Sequence, residues 1–214
     1  MIRHENALIR FGLSCALTAS LAAPAMAKTP KTPKAPKTTA ASQAIAIPAN
    51  IRIDNFGKVS NTYFRGAQPK GQDFDDLARL GVKLVIDLAE EGDVNESSNA
   101  ERAGMKFVRI PMNTDVQPDP KDVAKFLKIV TDPANQPVYV HCMGGRHRTG
   151  VMTAAYRMTQ QGWTADQAFA EMKQYKFGAD FLHPALKTFV YSFYAGLDKA
   201  QAPKVLVAAG TPAL

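Results

Sequence analysis

The sequence predicts an α/β fold, a central and mostly parallel sheet of about four to five strands flanked by helices, and three observations carry that prediction. From Ile51 onward, short β-rich runs alternate with stretches of helical period. One of those runs, Leu84-Val85-Ile86, is continuously apolar, as a strand covered on both faces should be. A chain of 214 residues that is 46% hydrophobic can bury one substantial core and has little room for a second.

Taken in order, residues 1–27 read as a secretory signal. Arg3 and Arg10 supply the basic flank, residues 11–23 are apolar, and Ala25-Met26-Ala27 is a small-x-small cleavage pattern. That apolar stretch falls short of the ~20 residues a spanning helix needs. A lipoprotein signal using Cys15 is disfavoured because Gly12 stands where such sites usually carry leucine. Residues 28–48 form a Lys/Thr/Pro-rich linker; lacking large apolar side chains through residue 41, it is expected to be disordered. A catalytic domain is expected over residues 49–199 and a flexible tail over 200–214. The expected destination is the periplasm or the exterior of the cell, with no integral membrane segment once the signal is cleaved.

Charge excludes one class of partner. Without the two arginines and one glutamate of the signal and the four linker lysines, the 26 basic and 19 acidic residues become 20 and 18. The folded part is therefore near neutral, and its composition gives no reason to expect nucleic acid. Of the two cysteines, Cys15 leaves with the signal, so Cys142 would be a lone thiol in an oxidising compartment. Such a thiol is a liability unless its reactivity is used.

Within the domain, candidate strands are residues 62–65, 83–88, 106–110 and 138–141. Val123, Phe126, Leu127 and Val130 fall on one face of a helix that Pro120 can start. Three more helices are expected after residue 148. Val151, Ala154, Ala155 and Met158 stripe the first. Thr164 and Gln167 make a capping box for the second, striped by Ala165, Ala168, Phe169 and Met172. Pro184 opens the third, with Leu186, Phe189, Val190 and Phe193 on its apolar face. Trp163 is expected to pack between helices.

The chemistry concentrates at His141-Cys142-Met143-Gly144-Gly145-Arg146-His147-Arg148-Thr149-Gly150. A buried strand ends at His141, six residues turn, and a helix begins near Arg148. Such a turn aims successive backbone N–H groups and the positive helix end at one spot, which is an anion site. Cys142 at its floor is held as thiolate by the same groups that would bind phosphate, making it a nucleophile at neutral pH. Gly144 and Gly145 permit close approach of the backbone. Arg148 offers a planar fork to two phosphate oxygens, Thr149 a hydroxyl to the departing sulfur, and Gly150 a close approach of the helix start to the strand. His141 is read as orienting the loop, and Arg146 and His147 as rim residues that either add positive charge for a polyanion or form a solvated crown. Cys142, His141, His147 and His183 lack the paired spacing of a zinc site, so no metal is expected.

His-Cys-x-x-Gly-x-x-Arg-[Ser/Thr]-Gly resembles the signature of the cysteine-dependent protein tyrosine and dual-specificity phosphatase superfamily. The stretch Gly145 to Gly150 is most similar to the atypical dual-specificity phosphatases of plants, fungi and bacteria, which usually carry Lys-His in place of Arg146-His147. The similarity runs from about Tyr63-Phe64-Arg65-Gly66-Ala67-Gln68-Pro69 to about Phe177. The resemblance implies a phosphotyrosine-phosphatase-like fold, no metal and no cofactor, Cys142 as nucleophile and Arg148 as phosphate binder. Met143, Gly144, Gly145, Arg146 and His147 then line the phosphate, with His141 and Thr149 in support. It also implies a general acid on a separate loop roughly thirty residues before the cysteine. Asp115 is the choice there, with Asp119, beside Pro120, more cheaply read as a helix cap. Arg65 and Asp87 are expected to form a supporting ion pair. The substrate is phosphotyrosine or a dual-specificity phosphoprotein, or alternatively an inositol polyphosphate, and the protein is expected to act as a monomer. Rival classes are a phosphate-binding module without turnover, and sulfur transfer or arsenate reduction on a related loop.

Overall fold

The computed structural model describes residues 51–201, so the signal and the linker lie outside the described residues, as does the tail beyond 201. The chain first makes an antiparallel pair, β1 (Gly57–Ser60) and β2 (Tyr63–Ala67). A short helix, α1 (Asp73–Arg79), leads to β3 (Leu84–Ala89), and α2 (Glu96–Arg102) leads to β4 (Lys106–Met112). Then come α3 (Pro120–Thr131), β5 (Val138–Cys142), α4 (Arg148–Gln160), α5 (Ala165–Gln174) and α6 (Pro184–Gln201). The five strands lie in the order β1-β2-β5-β3-β4, parallel except for β1.

β5 sits at the centre, paired on both sides and wholly buried, which explains why Val138, Tyr139 and Val140 form an unbroken apolar run. The four expected strands are all present, and each runs beyond its expected end, to Ala67, Ala89, Met112 and Cys142. β1 was not foreseen, because its four residues alternate only weakly and it pairs on one edge alone.

Two apolar layers cover the sheet. On one face Phe126, Val130, Val151, Met152, Ala155, Met172, Phe177 and Leu186 gather α3 to α6. On the other, Phe74, Leu77, Ala100 and Met105 bring in α1 and α2 around Val85 and Tyr139. These two seven-residue helices escaped prediction because each is too short to display a period. α4 is buried from Arg148 to Met158, so Val151, Ala154, Ala155 and Met158 are only part of its covered surface, which also takes in Thr149, Thr153 and Arg157. Thr164 and Gln167 form the expected capping box, and Arg157 lies over the Trp163 ring at 4.3 Å while pairing with Glu171.

Candidate active site

Cys142 ends β5 and is 3% exposed; α4 begins six residues later at Arg148. α3 is capped by Asp119 and α5 by Thr164, yet no side chain caps the start of α4. Its first N–H groups are thus free of any side-chain cap, and that of Thr149 serves the Cys142 sulfur. The loop's carbonyls are tied down from behind. The Gln68 N–H donates to Met143 O at 3.2 Å, Asn55 Nδ2 to Gly144 O at 3.3 Å and Gly145 O at 3.2 Å, and Arg65 Nη2 to Gly145 O at 2.7 Å. In a trans peptide the N–H points opposite to the carbonyl it follows. Holding these three carbonyls outward therefore turns the N–H groups of Gly144, Gly145 and Arg146 inward. Gly145 is required on two counts: its φ is +65°, and a Cβ there would stand 2.4 Å from the carbonyl of Gly66.

Burial pushes the Cys142 thiol pKa up, but the Thr149 hydroxyl and N–H, the Arg148 charge and the Arg146 N–H outweigh it, so the net direction is down. Thr149 is fully buried; its hydroxyl has no partner in full hydrogen-bond geometry but is among the groups that lower the Cys142 pKa. Arg148 donates from Nη1 and Nη2 to the two carboxylate oxygens of Glu91 at 2.6 and 2.5 Å, and from Nη1 to Met112 O at 3.3 Å. Its Nε is buried without a partner. Glu91 therefore takes the end of the guanidinium and leaves the Nε edge for an oxyanion. Glu91 itself is pulled down to about 2 by the hydrogen bonds from Arg148.

The other expected site residues fall as follows. Met143 is exposed on the crown of the loop and Arg146 is exposed beside Gly144. The His147 ring turns inward: Nε2 is 3.0 Å from Phe177 O and the ring centroid is 3.9 Å from that of His183. Burial and the neighbouring His183 lower its pKa, so the ring is not a rim cation, and only its backbone can serve an anion. Asp115 is exposed on the loop between β4 and α3, its N–H donating to Asn113 Oδ1 at 2.7 Å. Asp119 accepts from Lys121 N at 2.8 Å as the N-cap of α3.

Three expectations need correction. His141 does not bond to the loop: its Nε2 lies 2.7 Å from Glu96 Oε1 and its Nδ1 3.8 Å from Asp87 Oδ1, all three side chains fully buried. Arg65 and Asp87 do not pair, because β5 lies between their strands; Asp87 instead meets Arg109, its register partner on β4, at 2.7 Å. Gly150 clears space for Met172 of α5 rather than for the strand. Asp87, Glu96 and His141 bring ligand atoms within 4.8 Å of one another. Arg109 meets both carboxylates, at 2.7 and 3.8 Å.

Glu91, Asn55, Glu96 and Arg109 were missed. They lie 33 to 87 residues from Cys142 in an otherwise unremarkable setting of polar residues, and no local period marks them. The positive φ of Asn55, 58°, is compatible with its residue type but not dictated by it.

Residues 48–187 match a family described as a DSP-PTPase phosphatase fused to NAD+ kinase. The dual specificity protein phosphatase TpbA of Pseudomonas aeruginosa is 31% identical over 124 residues, which are 58% of this chain and 56% of TpbA. The inositol diphosphatase SIW14 of Saccharomyces cerevisiae is 31% identical over 130 residues, 58% of this chain and 46% of SIW14. The chain thus spans about half the length of these two curated relatives. Among solved structures, P. aeruginosa TpbA superposes with a TM-score of 0.61 at 30% identity, covering 75% of this chain and 98% of that one.

Proposed function

The chain belongs to this DSP-PTPase phosphatase family, and from that premise we propose that it hydrolyses phosphate monoesters, phosphotyrosine or dual-specificity sites in proteins foremost, through a phosphocysteine on Cys142. The observation that carries the reading is the tying back of the Met143, Gly144 and Gly145 carbonyls, which turns the N–H groups that follow them over a buried thiol whose pKa is lowered.

The Cys142 sulfur attacks phosphorus in line with the leaving oxygen, and the S–P bond forms as the O–P bond breaks. The inward N–H groups and the free Nε edge of Arg148 hold the three remaining phosphoryl oxygens. Asp115, as the acid, gives its proton to the departing oxygen. The carboxylate left behind takes a proton from water as that water attacks phosphorus, and sulfur departs as thiolate, eased by the Thr149 hydroxyl. Met143 and His147 contribute backbone, Thr149 supports the sulfur, and His141 supports the strand end through Glu96.

A feature of the border favours a phosphoprotein over an inositol polyphosphate. The loops after β3 and β4 open at the carboxyl end of the parallel strands, where the cradle lies. They present exposed Glu90, Glu91, Asp93, Asp115 and Asp119, while Arg146 is the cation exposed on the cradle loop itself. Such a border repels a second phosphate. SIW14 is named an inositol diphosphatase, and that substrate is the alternative for this chain. We also place the mature protein in the periplasm or outside the cell, on the strength of the signal-like residues 1–27.

The test is turnover of a phosphotyrosine peptide beside an inositol polyphosphate, by the wild-type protein and Cys142→Ser. The expected result is faster turnover of the peptide, lost in the variant while vanadate still binds. Undiminished turnover by Cys142→Ser refutes the phosphocysteine, and faster turnover of the polyphosphate refutes the substrate assignment.

A further inference from the structure

Arg65 is the largest fully buried side chain among the described residues. Buried arginines are normally paired with a carboxylate, because an isolated charge is costly to remove from water. Among the described residues Arg65 has no carboxylate within ion-pair distance. Its Nη2 holds Gly145 O at 2.7 Å, its guanidinium carbon lies 3.9 Å from the centroid of the Tyr175 ring, and its Nε and Nη1 have no partner.

Register locates the charge. Arg65 pairs with Val140 and Ala67 pairs with Cys142 across β2 and β5. With a period of two along each strand, Arg65 projects from the same face of the sheet as Cys142, one diagonal step away. The groups that face it are Glu171 from α5, which is engaged with Arg157, Tyr63 from its own strand, Tyr175 after α5, and Cys142 from β5. Tyr63 is buried, and burial raises its pKa well above the ordinary phenol value, so it stays neutral. Of these groups, Cys142 is the one whose charge the rest of the site is built to hold.

Resting on the phosphocysteine reading, we propose that Arg65 is a positioning residue: a buried cation that pins the Gly145 carbonyl behind the loop and whose counter-charge is the Cys142 thiolate. The two roles reinforce each other. Pinning the carbonyl turns the Arg146 N–H toward the sulfur, and the fixed charge stabilises the thiolate from the side opposite the substrate. When sulfur carries the phosphoryl group, the Arg65 charge loses its counter-ion. Departure of the thiolate in the second step restores it.

The experiment is the pH at which Cys142 is half alkylated by iodoacetamide, followed by mass spectrometry of the peptide that contains it, in full-length protein. Arg148 and Thr149, which act on the sulfur, and Tyr139 on the other face of β5 keep their identity in every variant. Arg65→Gln keeps a donor for Gly145 O and removes the charge. It is expected to raise the midpoint by about one pH unit, the low end of what a neighbouring opposite charge supplies, and to lower kcat about tenfold with little change in KM. Arg65→Lys keeps the charge and is expected to stay within half a unit of wild type. A folded Arg65→Gln with the wild-type midpoint overturns the proposal, as does Arg65→Lys shifted by a full unit. The Lys arm decides alone should the Gln variant not fold. Either failure beside a dead Cys142→Ser removes Arg65 only; turnover by Cys142→Ser removes the phosphocysteine instead.

Discussion

Two arginines flank the same loop and are solved in opposite ways. Arg148, in front, is clamped by both oxygens of a half-exposed glutamate and keeps one edge open. Arg65, behind, is sealed from water, rests on an aromatic face and holds a backbone carbonyl. The difference teaches how a cation is fitted to its task. A group that must meet an incoming dianion and let it go needs a carboxylate to orient it, since water alone would leave its long side chain many rotamers. A group that only maintains a field needs rigidity, and burial supplies that at a desolvation cost offset by the charge it faces.

The comparison breaks first at the front. Arg148→Lys replaces a planar fork with a point charge, and kcat/KM for a phosphotyrosine peptide should fall by about 10²–10³, against the roughly tenfold fall expected for Arg65→Gln. Equal losses at both positions, measured by steady-state kinetics, would erase the distinction between a substrate-facing cation and a supporting one.

The acidic loop sharpens it. Asp115→Asn should lower kcat by about a hundredfold on a serine phosphopeptide, whose alkoxide is a poor leaving group. The loss should be much smaller on an activated aryl phosphate that departs without a proton. Asp119→Ala should leave both rates alone and cost about 1 kcal/mol of stability through the lost cap of α3, read by thermal melting. A rate loss at Asp119 without one at Asp115 reverses the assignment.

The smallest effect belongs to the clamp. Glu91→Gln weakens a partly exposed charge-assisted pair and should raise KM for the peptide about threefold. The pairing pulls the Glu91 pKa from 4.5 to about 2. The ionised carboxylate therefore favours the folded state at every pH above about 4.5, and that contribution disappears as pH falls through 2. Since the side chain is 55% exposed, solvent screening holds the amplitude below about 1 kcal/mol. Urea midpoints of wild type and Glu91→Gln compared at pH 7 and pH 2.5 measure it; a gap that widens on acidification contradicts the ion pair.

What could be read along the chain was whatever lies close together in it. The β5–loop–α4 unit is ten consecutive residues in which strand, turn glycine, nucleophile and helix start are all local, and its flanking runs carry clear periods. The same locality exposed the cap at Asp119 and the box at Thr164. By itself the sequence therefore determined the α/β class and marked Cys142, the loop after it and Arg148 as the candidate site, because short-range geometry and residue type are sufficient for each.

Only the tertiary structure decided what holds that cradle in shape. Strand order puts β5 between Arg65 and Asp87 and so denies them a pair, while it sets Asp87 beside Arg109. It also brings Asn55 and Glu91 to the loop from 89 and 57 residues away in the chain. Such contacts depend on which strands are neighbours and which face of each is buried. Pairing of that kind is a property of the folded whole, set by long-range packing to which no single stretch of residues holds the key.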